Sequence, residues 1–598
     1  MSKSAQIIVL DAGGQYCHLI ARRIRDLGVY TEIRRLDCDP DELKNTKGIV
    51  LSGGPQSVYE SNAIMVNPKI FTCNVPILGI CYGQQMIVYL LGGKVSQSRI
   101  REYGSADLFV QGEQNIFQGL RKKERVWMSH GDAVDILPEG FSIIGYTADC
   151  PIAAIANFSQ KIYGLQFHPE VVHTVSGIRI LRNFIFSICG CKQDWNPGEN
   201  VKIIEEKIKE QTNGRNVFFL ISGGVDSSVA FTLCTRALGR ERVRGLYVDT
   251  GFMRKNETKI VEQAFKEVGV DNVDVVDAQS IFFAQLEHVI DPEEKRKIIG
   301  DLFINIQEKK LNEITTGNDD WVLGQGTIYP DTIESGGSKF SALIKTHHNR
   351  VTRIQEMIGE GKIIEPLSEY YKDEVRELGR SIRLPESIVG REPFPGPGLA
   401  VRCLCSIKHK SLEFTQHSQE IARKYKVQSW IVPIETVGVQ GDGRSYARLM
   451  VVSGNVCWGT LNEISVEVTN SLPEINRVAY LVASKDFFPK FNVHPARLTK
   501  DRIQLLQEAN DLVYQFVSEE QFKEIWQFPV ILVPLGARND GETVALRPVR
   551  SVDGMTAEFA QIERSTLKIL GKKLLELDGV DSVIYDITHK PPGTIEWE

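Results

Sequence analysis

The feature that most constrains the fold is an apolar run, Phe218–Ile221, that leads into a turn of small residues. The run is typical of an inner strand of a parallel sheet, and two glycines let the backbone approach an anion closely. A helix then begins near the serines, where free amide donors and the positive end of the helix dipole favour pyrophosphate. We therefore predict a phosphate-binding strand–turn–helix that uses Ser222, Gly223, Gly224, Val225, Asp226, Ser227 and Ser228.

Two other interpretations of this stretch compete with a phosphate site. It is not a P-loop, because no Lys-Ser/Thr pair follows the glycines, and it lacks the G-x-G-x-x-G spacing of dinucleotide-binding folds. A bare Ser-Gly-Gly would more often be an ordinary strand-to-helix turn. The complete run through Ser228 favours the phosphate site.

Length and composition limit the classes of protein to which the chain can belong. With 598 residues the chain is too long to fold around one hydrophobic core, and its length suggests roughly three or four domains. The formal charge of −6 gives no basic field, so we expect no nucleic-acid partner. No leader and no membrane-crossing apolar stretch is evident, and the 11 cysteines lack metal-ligand spacing. We expect a cytoplasmic protein with reduced thiols and no membrane partner.

Residues 1–195 alternate short strand-like runs with helical segments, which predicts a parallel sheet covered by helices. One strand, Ile77–Ile80, runs into Gly-x-Cys-x-Gly, a turn that would expose Cys81 as a nucleophile elbow exposes a serine. Another strand ends in His168-Pro169-Glu170. A thiol needs a base, and the base needs an acid to fix its tautomer, so Cys81, His168 and Glu170 could fill these roles.

Each of these signals alone is weak, because a lone cysteine is usually a small buried hydrophobe. In combination with Leu51-Ser52-Gly53-Gly54-Pro55 at another strand end, they resemble the class I, triad-type glutamine amidotransferase domain. The resemblance implies hydrolysis of glutamine to glutamate and ammonia through a thioester on Cys81. It also implies an oxyanion hole formed by the amides of Gly54 and Tyr82.

A polar Pro- and Gly-containing segment near residue 196 is typical of a linker, and residues 196–402 then alternate strands and helices. Asp249-Thr250-Gly251 invites an aspartic-protease interpretation, but that class needs a second carboxylate copy and a different fold. A carboxylate at the tip of the strand after the phosphate loop better suits a nucleotide site in an open α/β sheet.

The order of five motifs, SGGVDSS, VDTGF, GQGTIYPD, KDEVR and PFPGPGL, resembles the N-type ATP pyrophosphatase domain of the GMP synthetases. The resemblance implies a doubly wound parallel sheet and adenylylation of xanthosine monophosphate (XMP) by ATP, after which ammonia displaces AMP to give GMP. The loop at Ser222–Ser228 would hold pyrophosphate, and Asp226 would bind Mg²⁺. Lys345 and Lys372 are candidates for neutralising phosphate charge.

Residues 403–598 contain a repeat. Gly438–Arg444 parallels Gly536–Glu542, and Leu472–Tyr480 parallels Leu577–Tyr585 at an offset of 105 residues. We expect two small α+β units, each with two strands around an Asp-Gly turn, a helix and a strand. The duplication resembles the longer eukaryotic-type GMP synthetases, which implies a monomer, with a dimer as the alternative.

The C-terminal residues would ordinarily be a frayed tail. The resemblance instead places them in the nucleotide site, where Lys590 would pair a 5′-phosphate and Glu596 would accept from a purine N–H. Further XMP contacts implied by the matching motifs are Arg254, Asp442 and Gln527.

Two other functions remain open from the sequence. The same folds could serve another glutamine-dependent ATP pyrophosphatase with a different acceptor, including a tRNA-thiolating enzyme, although the latter would be expected to carry a basic surface or cysteine pairs. The chain could also be a scaffold that has lost catalysis, against which the intact Cys81, His168, Glu170 and phosphate loop argue.

Overall fold

A computed structural model shows two compact units, Met1–Pro197 and Gly198–Glu598. The structure describes residues 4–14, 16–61, 63–112, 115–314, 320–329, 331, 360–410, 412, 415–440, 443–486, 489–517, 524–537, 541–551 and 557–598. Within these ranges, none of the helices combines the length and the apolar character that a membrane crossing requires.

The first unit contains a nine-stranded mixed sheet with the strand order β2-β1-β3-β4-β9-β8-β7-β5-β6. The predicted parallel sheet is confirmed for β2, β1, β3, β4 and β9, whereas β8, β7, β5 and β6 pair antiparallel. The elements are β1 Ile7–Asp11, α1 Cys17–Asp26, β2 Thr31–Arg35, β3 Gly48–Leu51, β4 Ile77–Ile80, α2 Tyr82–Leu90, β5 Lys94–Val110, β6 Lys123–Ile136, β7 Ser142–Tyr146, β8 Ala154–Asn157, β9 Ile162–Leu165 and α3 Gly177–Arg182.

The second unit begins with a five-stranded parallel sheet of order β12-β11-β10-β13-β14. Its elements are α4 Val201–Thr212, β10 Asn216–Ile221, α5 Val225–Leu238, β11 Val243–Asp249, α6 Glu257–Glu267, β12 Val273–Asp277, α7 Gln279–Leu286, α8 Pro292–Ile314, β13 Trp321–Gly324, β14 Ile363–Ile364, α9 Lys372–Ser381 and α10 Glu386–Val389. The strand order reverses between β10 and β13, which is where open α/β sheets bind ligands. The predicted phosphate loop follows β10 and therefore lies at this position.

A six-stranded mixed sheet of order β15-β16-β17-β24-β21-β19 forms the rest of the second unit. The elements are α11 Gln416–Tyr425, β15 Gln428–Gln440, β16 Gly443–Ser453, α12 Trp458–Ser471, β17 Ile475–Ser484, β18 Asn492–Val493, α13 Lys500–Val517, β19 Val530–Val533, β20 Leu535–Gly536, β21 Glu542–Leu546, β22 Val549–Arg550, β23 Glu558–Phe559, α14 Arg564–Leu575 and β24 Val580–Asp586. One core joins this sheet to the parallel one, since Phe218 and Leu323 share a cluster of buried residues with Met450 and Tyr585.

The two halves of the six-stranded sheet have the same internal order. In each half an antiparallel pair is followed by a helix and by a strand parallel to the second of the pair: β15, β16, α12 and β17, then β19, β21, α14 and β24. The halves meet where β17 pairs antiparallel with β24, and Tyr480 lies opposite Tyr585. The predicted element order is confirmed, but the two halves share one sheet, and the tips of both Asp-Gly turns lie outside the described residues.

Candidate active site

Cys81 occupies a sharp turn between β4 and α2. Its φ of 54° is unusual for a residue with a side chain, and Cys81 is also the N-cap of α2. The turn requires glycine on both sides: a Cβ on Gly79 would lie 2.5 Å from the Gly83 carbonyl, and one on Gly83 would lie 2.4 Å from the Leu51 carbonyl. This is the geometry of a nucleophile elbow, with sulfur as the reacting atom.

His168 and Glu170 lie beside this cysteine. The Nδ1 atom of His168 is 2.7 Å from Glu170 Oε1, and both side chains are buried. Burial disfavours the charged ring, but Glu170 and Cys81 together raise the pKa of His168 to about 10. A protonated imidazole beside a thiol favours the thiolate, the form that attacks carbonyl carbon.

The turn after β3 packs against the same elbow. A Cβ on Gly53 would lie 3.3 Å from His168 Cε1 and 3.7 Å from Cys81 Cβ, and one on Gly54 would lie 3.0 Å from Tyr82 Cδ1. Gly54 and Tyr82, the candidate oxyanion donors, are therefore neighbours on one side of Cys81. The structure brings all five candidate glutaminase residues together.

The loop between β10 and α5 has a local hydrogen-bond network. Gly223 has a φ of 76°, and the Ser222 and Ser227 hydroxyls are 3.0 Å apart. The Gly224 amide donates to Ser222 Oγ at 3.3 Å, and Ser227 Oγ donates to the Gly224 carbonyl at 3.2 Å. The turn after β13 covers the loop so closely that a Cβ on Gly326 would lie 2.7 Å from the Ser227 amide nitrogen.

Charged side chains gather at the start of α5. Lys372 Nζ lies 2.5 Å from Asp226 Oδ2. The other oxygen of Asp226 is buried and has no hydrogen-bond partner among the residues that the structure describes. Burial, with a contribution from Asp226, raises the pKa of the Asp331 carboxyl nearby. An unpaired buried carboxylate oxygen beside a second carboxyl suits a divalent cation. Lys345 lies outside the described residues.

Three of the candidate XMP residues converge on the segment Glu392–Phe394. Arg254 stacks on the ring of Phe394 at 4.4 Å and donates to the Glu392 carbonyl at 3.3 Å. Gln527 Nε2 donates to the Pro393 carbonyl at 2.8 Å. Glu596 reaches the same place through Arg402, which binds its carboxylate and also stacks on Phe394, at 5.1 Å.

The structure describes only one of the other two XMP candidates, Lys590 and Asp442. The backbone of Lys590 pairs with that of Ala557, through N–H···O distances of 2.8 and 3.1 Å, on the segment that leads towards Glu596. Asp442 lies outside the described residues.

Known proteins match this chain along its whole length. Family models match residues 8–188 as glutamine amidotransferase class-I, residues 198–353 as NAD synthase and residues 515–597 as GMP synthase C terminal domain. A probable glutamine-hydrolysing GMP synthase from Leptospira interrogans is 44% identical over 99% of both chains. The chain belongs to the glutamine-hydrolysing GMP synthase family.

Other members of the GMP synthase family differ in length. The protein from Aquifex aeolicus is 37% identical and covers 99% of this chain, and 99% of its own length is matched. The protein from Caldanaerobacter subterraneus is 41% identical, but its match covers 81% of this chain and 98% of that protein. The family therefore includes members as long as this chain and shorter ones.

Two arginines that contact the candidate residues were not predicted from the sequence. Arg402 follows the PFPGPGL motif and is surrounded in sequence by apolar residues. This context does not predict its pairing with Glu596, 194 positions away. Arg391 donates to the Gly223 carbonyl at 2.7 Å and to Glu257 at 3.1 Å. It therefore links the backbone of the phosphate loop to α6. The proximity of Arg391 to the PFPGPGL motif was the one available signal, and it does not specify a partner.

Proposed function

We propose that the chain makes GMP by amination of XMP, with ammonia released from glutamine and with ATP converted to AMP and pyrophosphate. The observation that carries the proposal is the 2.7 Å pairing of His168 Nδ1 with Glu170 Oε1 next to the sharp turn that holds Cys81. Family membership over the whole length supports the same activity.

In the glutaminase reaction the Cys81 thiolate adds to the amide carbon of glutamine. The amides of Gly54 and Tyr82 stabilise the oxyanion. His168 gives a proton to the departing ammonia, and the C–N bond breaks to leave a thioester on Cys81. Water then adds to the thioester, His168 takes its proton, and the C–S bond breaks to release glutamate.

In the synthetase reaction the C2 oxygen of XMP attacks the α-phosphorus of ATP, and pyrophosphate leaves. Ser222, Gly223, Gly224, Val225, Ser227 and Ser228 would hold the leaving group through amides and hydroxyls, with Lys345 and Lys372 neutralising its charge. The unpaired buried oxygen of Asp226 supports Asp226 as a residue that would hold Mg²⁺, and the ion would supply positive charge to stabilise the departing pyrophosphate. Ammonia then attacks C2 of adenylyl-XMP, and AMP leaves.

The nucleotide acceptor would be held by Arg254, Asp442, Gln527, Lys590 and Glu596. The convergence of Arg254, Gln527 and Arg402-bound Glu596 on the Glu392–Phe394 segment supports this assignment. Glu596 would accept from a purine N–H, and Lys590 would pair the 5′-phosphate.

We assign residues 1–195 to the amidotransferase, 196–402 to the ATP pyrophosphatase and 403–598 to the region that completes the XMP site. The similar halves of the six-stranded sheet, together with relatives as long as this chain, support a duplicated C-terminal region as in the longer form of the family. The pairing of β17 with β24 within one chain supports a monomer. The proposed location is the cytoplasm, where glutamine, ATP and XMP would be the substrates and the cysteine thiols would stay reduced.

The test is incubation of the purified protein with ATP, XMP and glutamine, in which AMP, pyrophosphate, glutamate and GMP are all measured. Equal yields of AMP, pyrophosphate and GMP are expected. Release of ADP and phosphate, or amidation of another acceptor in preference to XMP, would contradict the proposal.

A further inference from the structure

A buried glutamine contacts the reacting sulfur from a side that the triad does not occupy. Gln166 stands two residues before His168, and its side chain is inaccessible to solvent. Its Nε2 lies 3.7 Å from Cys81 Sγ, within hydrogen-bond distance for sulfur. An amide N–H is a donor only, so this contact favours a sulfur that carries negative charge.

The orientation of this amide is fixed by a second glutamine. Gln85 lies one turn after Cys81 on α2, and its Nε2 donates to Gln166 Oε1 at 3.2 Å and to the Asp132 carbonyl at 3.0 Å. Because Gln166 Oε1 accepts from Gln85, the Nε2 of Gln166 must face the sulfur. The Gln166 backbone is held as well, since its N–H donates to the Ala153 carbonyl at 2.8 Å.

A backbone carbonyl next to the sulfur makes this donor useful. Cys81 Sγ lies 3.6 Å from the Ser129 carbonyl oxygen, which can accept from a neutral thiol but repels a thiolate. Gln166 therefore supplies a hydrogen bond that favours the charged form, in addition to the nearby charge of His168. A neutral donor also keeps its proton when His168 gives its own proton to ammonia.

We propose that Gln166 is a further catalytic residue of the glutaminase, one that hydrogen-bonds the Cys81 sulfur whenever it is a thiolate. This inference rests on the proposed role of Cys81 as the nucleophile. Gln166 would act before attack and again when the C–S bond of the tetrahedral intermediate breaks, where sulfur leaves with the bonding electrons and water's proton has passed to His168. Hydrolysis of the thioester should depend on it in particular.

The experiment compares Gln166→Met with Gln84→Met in the full-length protein. Gln84 is a matched control, because it is a buried glutamine of the same helix as Gln85 whose amide donates to the Ile152 carbonyl at 3.1 Å instead of to sulfur. Alkylation of Cys81 by iodoacetamide is followed by mass spectrometry between pH 5 and 10, and glutamine turnover is measured in parallel.

We expect Gln166→Met to move the alkylation midpoint upwards by about one pH unit and to lower kcat for glutamine about tenfold or more, since a hydrogen bond to a charged group is worth this much. Gln84→Met should keep the wild-type midpoint. An unchanged midpoint in Gln166→Met, or the same shift in both variants, would overturn the proposal.

Two further variants cover a failure of Gln166→Met to fold. Gln166→Leu removes the donor at a similar volume and adds no charge, and Gln85→Met frees the Gln166 amide to turn. Both should shift the midpoint upwards, and wild-type profiles in both would refute the role. Cys81→Ala separates this test from that of the proposed function, because glutamine-dependent turnover that survives in Cys81→Ala would show that the nucleophile itself is misassigned.

Discussion

Arg402 binds the carboxylate of Glu596 through two hydrogen bonds of 2.6 and 2.9 Å. The arginine side chain is 2% exposed and the glutamate side chain 22%, so the carboxylate retains an accessible side. Burial opposes the charge on Arg402, but Glu596 raises the pKa of its guanidinium. A fixed, charged carboxylate with one side open is suited to accept hydrogen bonds from a ligand.

We predict that Glu596→Gln raises KM for XMP by about 10- to 100-fold, because a hydrogen bond to a charged acceptor contributes about 1.5–3 kcal/mol. The measurement is GMP formation with ammonium as nitrogen donor, which isolates the synthetase. Glu576→Gln, at an exposed position just after α14, should behave as wild type. A wild-type KM for XMP in Glu596→Gln would remove Glu596 from the nucleotide site.

Cys81→Ala should abolish GMP formation from glutamine and leave formation from ammonium measurable, because only the first reaction passes through a thioester. Cys73→Ala provides a matched control on a thiol that bonds backbone carbonyls of Lys69 and Pro40. Glutamine-dependent activity that survived in Cys81→Ala would show that another group is the nucleophile.

Asp226→Asn should lose activity with both nitrogen donors by a factor of at least about 100, because the change removes the charge that would hold Mg²⁺ at the pyrophosphate. Glutamine hydrolysis without ATP should persist. Asp301→Asn, an exposed change on α8, serves as the control. The measurement is pyrophosphate release at several Mg²⁺ concentrations, and wild-type release in Asp226→Asn would exclude the assigned role.

The elements around the phosphate loop were predictable because local signals agree there. The apolar run forms β10, and Gly239, with a φ of 87°, directly follows Leu238, the last residue of α5. The antiparallel strands β5 and β6 were not predicted, since their charged and polar residues hide the strand pattern. Their pairing is a tertiary property.

The candidate site also contains some residues that local sequence motifs predict and others that they do not. Cys81, His168 and Glu170 stand in recognisable local motifs, and the structure places them together. Arg402 and Gln166 carry no motif of their own, and their importance comes from partners that the fold supplies. Contacts of this kind become visible only after the chain has folded.

The His168–Glu170 pair predicts a pH dependence of stability. The pKa of His168 is raised from 6.5 to about 10 in the folded protein, so its stabilising contribution is complete below pH 6.5 and is lost as the pH rises through about 10. His168→Asn should therefore lower the thermal midpoint by several degrees at pH 6 and by little at pH 10. His173→Asn is the control, and a difference between wild type and His168→Asn that stays constant with pH would contradict the pairing.

The seam between β17 and β24 predicts the oligomeric state. These strands pair with each other inside one chain, at Tyr480 and Tyr585, and their other edges pair with β16 and β21, so neither offers a free edge to a second copy. Sedimentation should give a mass near 67.2 kDa over a wide concentration range.

The seam can also be tested by mutation. Ile584→Asp would bury an unpaired charge there and should cost roughly 3–5 kcal/mol of stability, whereas Ile569→Asp, at an exposed position on α14, should cost little. A twofold larger mass that Ile584→Asp reduces to 67.2 kDa would instead place this seam between two chains.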